Sequence, residues 1–450
     1  MNKTNLISGS YPKYLLSILV VVILTSSVAA HAKKVRVDGT FIQPMLCGFW
    51  TDAEWQREIS ALKEAGMHYI VIGTAAECAP GKAIKVIYPS NLPGTERASG
   101  RGGKVYPDII ENCLRNAEVA GMKVFVGIGI NESWWKEKID SVWLYKQMEF
   151  NNKVGDELWN LYKKKYPNAF YGWYWTYEIA NFDYTNNTLD VIAAAMNIQL
   201  DHLLASNEKL PFMWCPYMNA KIGTPEKYEQ MWKYIFKRLH TTAGDIFAPQ
   251  DCIGAGGLTL NELDAWFSAL RKAVDTKPEL KFWSDVETFD HTDWSSATIG
   301  RIVKQLKIEK PYVDNYITFA YSHYQSPTVA DSGYQKTYVD YLRNGKLENV
   351  PPSQPGNLKA EIIYNNNVRL TWSASTDNIG ICGYYIYRNG VKIAKRQKHL
   401  MYGRKGRVSH ILTFTDRKYR AHTKYTYRVQ SYDFADYVSP FSQSVSIITK

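Results

Sequence analysis

Two segments of this chain have the composition of β-strands, and each ends in a carboxylate. Residues Tyr171–Tyr177 are almost all aromatic and lead directly into Glu178, while Lys281–Val286 lead into Glu287. Aromatic faces stack on the apolar face of a pyranose ring, and paired carboxyl groups act as proton donor and nucleophile at glycosidic bonds. The sequence therefore predicts sugar-cleaving chemistry, provided that the fold brings the two glutamates together.

Asp285 is a second candidate for the nucleophile. Side chains alternate between the two faces of a strand, so Asp285 and Glu287 point the same way. Glu287 lies nearer the end of the strand and is preferred for that reason. The separation of the two carboxyl groups distinguishes retaining from inverting enzymes, and both mechanisms remain open at this point.

Further polar and aromatic residues at predicted strand ends are candidates for binding a sugar. They are Trp50, Glu77, Asn131, Trp175, Asn181, Asn219, Asp251, Trp283, Asp285, Tyr321 and His323. Each is alternatively a helix cap, a hydrogen-bonding loop residue or a core side chain. Two of the four aromatic side chains, Trp50, Trp175, Trp283 and Tyr321, are expected to serve as stacking platforms. Tyr321, His323 or Asn219 is expected to donate a hydrogen bond that keeps the nucleophile ionised.

Other chemistries have weaker support in the sequence. There is no H-E-x-x-H motif, no P-loop and no glycine-rich dinucleotide turn. Gly254–Gly257 has no neighbouring basic residue and is predicted to be a flexible loop. Asp290–Asp293 has the compact spacing of a capped turn. We therefore predict no cofactor and no metal site.

The elements that must position the two glutamates alternate along the chain. Strand-like runs are predicted at Met45–Phe49, Tyr69–Gly73, Lys123–Ile128, Phe170–Thr176, Phe212–Tyr217, Ile246–Pro249, Lys281–Val286 and Tyr316–Ala320. Amphipathic helical periodicity separates them, with Asp52 and Thr259 as predicted N-caps and Gly66 and Gly121 as stops. Repeated βα units of this number predict an α/β fold, a (β/α)8 (TIM) barrel over residues 33–348. The long connection Thr74–Val105 is predicted to lie over the barrel mouth or to be a passive surface loop.

The last hundred residues have a different pattern. Residues 349–356 contain three prolines and are predicted to be a stiff linker. Short alternating strands follow at Val368–Trp372, Tyr384–Arg388 and Thr423–Val429, with a hairpin signal at Asn389-Gly390. Residues 357–450 are therefore predicted to form an all-β, immunoglobulin-like sandwich.

The residues of this C-terminal module resemble a bacterial fibronectin type III domain. The resemblance rests on the run from Leu370 to Gly380, on Gly383–Gly390 and on Tyr425–Val429. It implies that Trp372 is the core tryptophan and that Tyr425 is the corner tyrosine. The usual late Asp-x-Ala-Gly-Asn motif is replaced here by Asp433–Asp436, which changes a turn. Such modules commonly act as spacers or weak adhesins in extracellular carbohydrate-active enzymes.

The barrel region resembles the large clan of retaining glycoside hydrolases, and it also resembles an exported glycosidase-like family of polysaccharide-degrading bacteria, much of it domains of unknown function. The resemblance rests on Gly48–Trp50, Ile70–Glu77 and Trp173–Glu178. It implies Glu178 as the acid/base at the end of strand four and Glu287 as the nucleophile at the end of strand seven. The clan usually has an asparagine before the acid/base, and this chain has Tyr177 there. Either Asn181 replaces it from the following loop, or the chemistry differs from that of the clan.

The N-terminus predicts export from the cytoplasm. Two lysines precede an apolar run, Leu15–Leu24, and an A-x-A pattern at Ala30–Ala32 follows. We therefore expect a signal peptide over residues 1–32, no lipid-modified cysteine and no stable membrane insertion. The protein is expected to be periplasmic or secreted. The six cysteines favour buried thiols, with Cys47–Cys78 or Cys215–Cys252 bridges left open.

The net charge of +11 is concentrated in the C-terminal module, since residues 351–450 alone carry +11. In an exported protein this basic surface predicts an anionic glycan or cell surface as partner, or simply a solvated face, rather than nucleic acid. The sequence as a whole predicts an exported glycoside hydrolase acting on an oligo- or polysaccharide. The alternative is a non-catalytic carbohydrate-binding or cell-surface protein that keeps the barrel.

Overall fold

The computed structural model describes residues 35–136, 138–206, 208–364, 367–397, 411–417 and 420–450. The predicted signal peptide lies outside these ranges. Within them, eight parallel strands close into a barrel, and strands consecutive along the chain are neighbours in it. The barrel strands are Gly39–Ile42, Tyr69–Ile72, Lys123–Gly127, Phe170–Trp175, Phe212–Trp214, Ile246–Phe247, Lys281–Glu287 and Asn315–Phe319. The predicted (β/α)8 barrel is confirmed.

The predicted first strand, Met45–Phe49, is wrong. The first barrel strand is Gly39–Ile42, and all four of its residues are buried. Residues Pro44–Cys47 form a short helix with proline in its first turn, where the missing N–H costs no hydrogen bond. A short apolar run has no periodicity that separates a buried strand from a helical turn, which is why the sequence misleads here.

A helix follows each barrel strand. The main helices are Asp52–Glu64, Ile109–Ala120, Ser141–Leu158 (extended by a π-helical turn, Trp159–Lys163), Asn186–Ser206, Pro225–Phe236, Leu260–Val274, Ile299–Glu309 and Ser332–Asn344. Short helices lie at Ser133–Lys136 and Tyr321–Tyr324. Thr51, one residue before the predicted Asp52, is the first N-cap and forms a capping box with Glu54. Gly121 ends the second main helix at φ 70°, as its predicted stop role requires.

The barrel interior is filled by side chains from alternate strand positions. Phe41, Val71, Phe125, Tyr174, Met213, Cys215, Ile246, Ala248, Trp283, Ile317 and Ala320 form this inner core. A larger core lies between the strands and the surrounding helices. Because the interior is packed, a ligand can enter only at an end of the barrel, and in this fold sites lie at the C-terminal ends of the strands.

The long connection after the second barrel strand folds back as a small sheet. It contributes Ala76–Cys78, Ile84–Val86 and Thr95–Arg97, and the first of these pairs in parallel with Gly129–Asn131. The connection therefore has secondary structure of its own, which the sequence analysis did not predict.

The C-terminal region is a two-sheet sandwich. Its strands are Gly356–Ile362, Val368–Ser373, Ile381–Arg388, Val391–Gln397, Thr413–Asp416, Lys424–Asp433 and Val445–Ile448. The first, second and fifth form one sheet, and the other four form the second. Trp372 is buried, and the Tyr425 hydroxyl accepts a hydrogen bond from the Arg420 backbone N–H (2.9 Å), the expected corner arrangement. The predicted fibronectin type III sandwich is confirmed.

The sandwich packs directly on the barrel instead of standing apart as a spacer. Residues Val35–Lys450 form one compact unit. Phe434 packs edge-on against Tyr334 with ring centroids 4.7 Å apart, and its carbonyl accepts the Ile299 N–H at 2.9 Å. Lys395 and Gln397 contact the segment that follows the seventh barrel strand. The module is thus in contact with the hairpin segment that directly follows the strand carrying Glu287.

All six cysteines are buried and free, which agrees with the simpler of the two sequence interpretations. In the described part of the chain, no helix combines the length and apolar character needed to span a bilayer.

Candidate active site

Glu178 and Glu287 lie at the same end of the barrel. Glu178 follows the end of the fourth strand by three residues, and Glu287 is the last residue of the seventh. The strands are parallel, so their C-terminal ends open on one face. The two groups are close enough that the charge of Glu178 contributes to raising the pKa of Glu287. The fold therefore brings together the two carboxyl groups that are remote in sequence.

Glu178 occupies a half-buried position with few polar partners. The side-chain amide of Gln250 donates a hydrogen bond to its carboxylate, and Trp134 Nε1 donates to its backbone oxygen at 3.0 Å. Burial raises the pKa of Glu178 to about 7, and the Gln250 hydrogen bond opposes the shift. A carboxylic acid that remains protonated near neutrality can act as a general acid.

Glu287 is almost completely buried, at 2% exposed, and its position is fixed from three sides. Its Oε2 accepts the Ala255 N–H at 2.5 Å, and its own N–H donates to Asp251 Oδ1 at 3.1 Å. The Arg301 guanidinium donates to its carbonyl at 2.8 Å. Burial and then the charge of Asp251 raise the pKa of Glu287 to about 8, while the Ala255 N–H and Arg301 favour the anion.

Three further buried carboxyl groups lie behind Glu287. They are Asp251, Asp285 and Glu309, and the Gln305 side-chain amide donates a hydrogen bond to Asp251. Burial and the neighbouring carboxylates raise the pKa of Asp251, Asp285 and Glu309. Burial beside like charges disfavours the ionised form of each group in this cluster. Glu287 is favoured as the nucleophile because its carboxylate accepts the Ala255 N–H, a hydrogen bond that favours the anion.

Two of the three predicted asparagines, Asn181 and Asn219, are hydrogen-bonded to each other. Asn181 Nδ2 donates to the Asn219 carbonyl at 3.0 Å, and the Asn219 N–H donates to Asn181 Oδ1 at 2.9 Å. Both polar atoms of the Asn181 side-chain amide are thus hydrogen-bonded to the backbone of the loop after strand five. Asn219 Oδ1 accepts the Lys221 N–H, so its side chain shapes that loop rather than contacting Glu287.

The remaining polar candidates have local structural partners. Asn131 donates to Gln147 Oε1 and accepts the Ser133 N–H, and Glu77 is exposed on the small sheet. His323 is buried, its Nε2 accepts the Gln43 N–H at 3.1 Å, and burial lowers its pKa to about 3. A histidine that is neutral throughout the working pH range cannot supply a charged donor to the nucleophile.

Three of the four predicted stacking platforms are corrected by their burial. Trp175 and Tyr321 are each 1% exposed and Trp283 is 4% exposed. Trp283 packs against Tyr69 inside the barrel with ring centroids 5.1 Å apart, and the Tyr321 hydroxyl donates to Gln335. A sugar ring cannot reach these faces. Trp50, half-buried after the first strand and edge-on to Trp55, keeps an accessible surface.

Tyr177, which replaces the asparagine usual in the resembled clan, also lies in the core. It is 1% exposed and packs against Trp134 and Trp175, with ring centroids 5.2 and 5.1 Å apart. Its side chain therefore leaves the mouth, where the usual asparagine would bind a sugar hydroxyl. The residue before the acid takes no part in the site.

Four residues around Glu287 and Asp251 were not predicted from the sequence: Ala255, Arg301, Gln305 and Glu309. The loop Gly254–Gly257 was predicted to be merely flexible, yet a Cβ on Gly254 would lie 2.8 Å from Glu287 Cβ and 3.0 Å from its Oε2. That glycine allows the backbone to approach the carboxylate, and the glycine run after strand six was the available signal. Nothing in the sequence marks Arg301 or Glu309.

Asp290–Asp293 is a capped turn as predicted, with Thr292 N–H donating to Asp290. Across the described ranges, no group of three metal-ligating side chains could hold an ion.

The barrel matches a family model described as a domain of unknown function, DUF4434, over residues 37–331. A candidate alpha-L-fucosidase from Bacteroides thetaiotaomicron shares the fold, with a TM-score of 0.55 and 21% identity over 74% of this chain and 99% of that chain.

Characterised relatives match smaller parts of the chain. Chitinase Chi52 of Paenibacillus xylanexedens is 33% identical over 102 residues, 23% of this chain and 17% of that protein. Exoglucanase B of Cellulomonas fimi is 27% identical over 215 residues, 46% of this chain and 17% of that protein. The chain spans less than a fifth of the length of the curated relatives it matches.

Proposed function

The chain belongs to the DUF4434 family, and we propose that its barrel hydrolyses glycosidic bonds with Glu178 as acid/base and Glu287 as nucleophile. One observation carries the proposal: two carboxyl groups with raised pKa lie at the ends of strands four and seven of one parallel barrel. The barrel shared with a candidate fucosidase and the partial similarity to a chitinase and an exoglucanase support the same reaction class. Export of the enzyme remains part of the proposal.

In the proposed mechanism, Glu178 protonates the glycosidic oxygen while the Glu287 carboxylate attacks the anomeric carbon. The C–O bond to the leaving sugar breaks, and a glycosyl ester forms on Glu287. Glu178, now ionised, removes a proton from water, and the water attacks the same carbon and releases Glu287. The sugar is therefore released with retained configuration.

The surroundings of the two acids fit these roles. The Ala255 N–H, 2.5 Å from Glu287 Oε2, stabilises the carboxylate before attack and after release. Glu178 accepts one hydrogen bond, from the Gln250 amide, and burial raises its pKa to about 7. Its carboxyl group can therefore donate a proton to the leaving oxygen near neutral pH.

The test is a screen of the purified protein against a panel of polysaccharides and aryl glycosides, with Glu178→Gln and Glu287→Gln as variants. We expect one substrate class to be cleaved and both variants to lose at least two orders of magnitude in rate. Glu149→Gln, an exposed site on the helix Ser141–Leu158, is the matched control. Binding without cleavage by the wild-type protein would instead support the non-catalytic alternative.

A further inference from the structure

A cleft of about 530 Å³ lies beside the segment Asn181–Tyr184, which follows Glu178 along the chain. It is bounded by the segment after barrel strand four and by the loop and helix after strand five. Its lining includes Phe182, Tyr184, Ile222, Met231 and Tyr234. Its volume lies within the range of about 300–1,000 Å³ typical of ligand sites.

Two apolar side chains of this cleft are open to solvent. Phe182 is 49% exposed and Ile222 is 41% exposed. Phe182 is held edge-on to Tyr184, with ring centroids 5.8 Å apart, so its orientation is defined by packing. An oriented aromatic ring with a free face at a barrel mouth is suited to stacking on the C–H face of a sugar.

Two connections place the cleft near the candidate active site. Asn181, three residues after Glu178, lines the cleft and is hydrogen-bonded to the backbone of Asn219. The Tyr217 carbonyl accepts a hydrogen bond from the hydroxyl of Tyr228, a residue of the cleft wall, at 3.0 Å. Tyr217 is also near the acid, since after burial the charge of Glu178 is the main cause of its raised pKa. A chain of sugars leaving Glu178 in this direction would enter the cleft.

The charges of the lining restrict which glycans fit. Asp183 and Glu226 are its acidic residues and Lys227 is its basic one, so the lining carries one net negative charge. The Lys227 ammonium lies 3.9 Å from Asp183 and is partly neutralised by it. Glu226 is ionised, because hydrogen bonds from its own backbone N–H and from Thr224 lower its pKa. A uronic acid chain would be repelled, whereas a neutral chain would not.

We propose that this cleft binds sugar units of a neutral oligosaccharide beyond the bond at Glu178, with Phe182 as the stacking platform. This inference rests on the proposed function and deepens it: the substrate is a neutral chain of several sugars, held on the side of strands four and five.

Binding is measured by calorimetry in the Glu287→Gln background, so that no probe is consumed. The probes are the hexasaccharides and disaccharides of cellulose, mannan, xylan and chitin, with hexagalacturonate as the anionic probe. Phe182→Ala is the test variant. Tyr364→Ala, an exposed aromatic residue of the sandwich (86% exposed), is the matched control.

We expect one neutral hexasaccharide to bind, Phe182→Ala to weaken it about five- to tenfold and the corresponding disaccharide to be affected less than twofold. Unchanged hexasaccharide affinity in Phe182→Ala, absence of binding by every neutral probe, or preference for hexagalacturonate would each overturn the inference. The proposed function fails separately: a wild-type protein that binds the hexasaccharide through Phe182 and cleaves nothing would refute hydrolysis and retain the cleft.

Discussion

Replacing Lys395 with methionine should weaken the contact between the sandwich and the segment that follows Glu287. Lys395 Nζ lies 2.8 Å from Asp290 Oδ2, 2.7 Å from Ser295 Oγ and 3.3 Å from Asp293 Oδ1. Phe289–Asp290 and Ser295–Ser296 pair as a two-stranded hairpin, so one ammonium from the sandwich holds both strands. Methionine keeps an unbranched apolar side chain of similar length and removes the ammonium group with its charge and its hydrogen bonds.

The size of the effect follows from the exposure of the pair. The Lys395 and Asp290 side chains are 17% and 31% exposed. A hydrogen bond to a charged group contributes about 1.5–3 kcal/mol, and partial access of water places this pair near ~1–2 kcal/mol. The loss also leaves two aspartates facing each other without a cation.

The pH dependence provides a second check on the same pair. Lys395 and Thr292 hydrogen bonds lower the pKa of Asp290 well below its usual range, against the effect of burial. A carboxyl group whose pKa is lower in the folded state stabilises the fold above its unfolded pKa of about 3.9. The difference in unfolding free energy between wild type and Lys395→Met should be constant above about pH 5 and shrink as the pH falls below 3.9.

The assay is a double-mutant cycle of Lys395→Met and Asp290→Asn, read by urea unfolding, with Lys359→Met on the exposed face of the sandwich as control. We expect a coupling energy near ~1–2 kcal/mol. A coupling energy below ~0.5 kcal/mol would show that this contact is no stronger than an exposed surface ion pair. The same conclusion would follow if the difference in unfolding free energy between wild type and Lys395→Met increased at acid pH.

Three further predictions concern the site itself. Gly254→Ala should lower kcat by at least tenfold with the fold intact, because the new Cβ displaces the Glu287 carboxylate. The control is Gly356→Ala, where the atom nearest to the new Cβ is 3.9 Å away. Equal kcat values for the two variants would contradict the contact between Gly254 and Glu287. Glu309→Gln should increase the free energy of unfolding, and the increase should grow above pH 4.5, because the raised pKa of Glu309 makes its ionisation unfavourable in the folded state. Urea denaturation at pH 5 and pH 8 measures this difference. An increase of the same size at both pH values would contradict the prediction. The rate should peak between about pH 7 and 8, where Glu178 and Glu287 together hold one proton; a pH–rate profile with an optimum below pH 5 would contradict the raised pKa values.

Strands four and seven could be predicted from the sequence because their aromatic and β-branched runs end in charged residues at the strand tips. The first strand could not, since four buried residues offer no periodicity and a neighbouring apolar run that forms a helix competed with them. The placement of Trp175 was misjudged although alternation was available: Tyr174 points into the barrel, so Trp175 faces the helices. Both errors concern which residues form a strand and which face of it points into the barrel, and the sequence of one strand alone does not determine these.

The surroundings of Glu287 depend on packing between distant elements. Arg301 and Glu309 reach the site from the helix after strand seven, and Lys395 reaches the adjoining hairpin from the sandwich. Positions such as these are set by how helices and modules pack on the barrel, and no local pattern of residues encodes them. The glycine run after strand six was a local signal, and its meaning became clear only with the carboxylate beside it.

The central claim is that Glu178 and Glu287 have different roles in one retaining reaction. Azide rescue of Glu178→Ala tests it most directly, with an activated aryl glycoside of the sugar found in the glycan screen as substrate. A good leaving group departs without protonation, and azide attacks the glycosyl-enzyme without general-base help. We expect azide to restore turnover and to yield a glycosyl azide of retained configuration. No rescue, with equal loss on activated and natural substrates, would assign Glu178 to binding instead of acid/base catalysis.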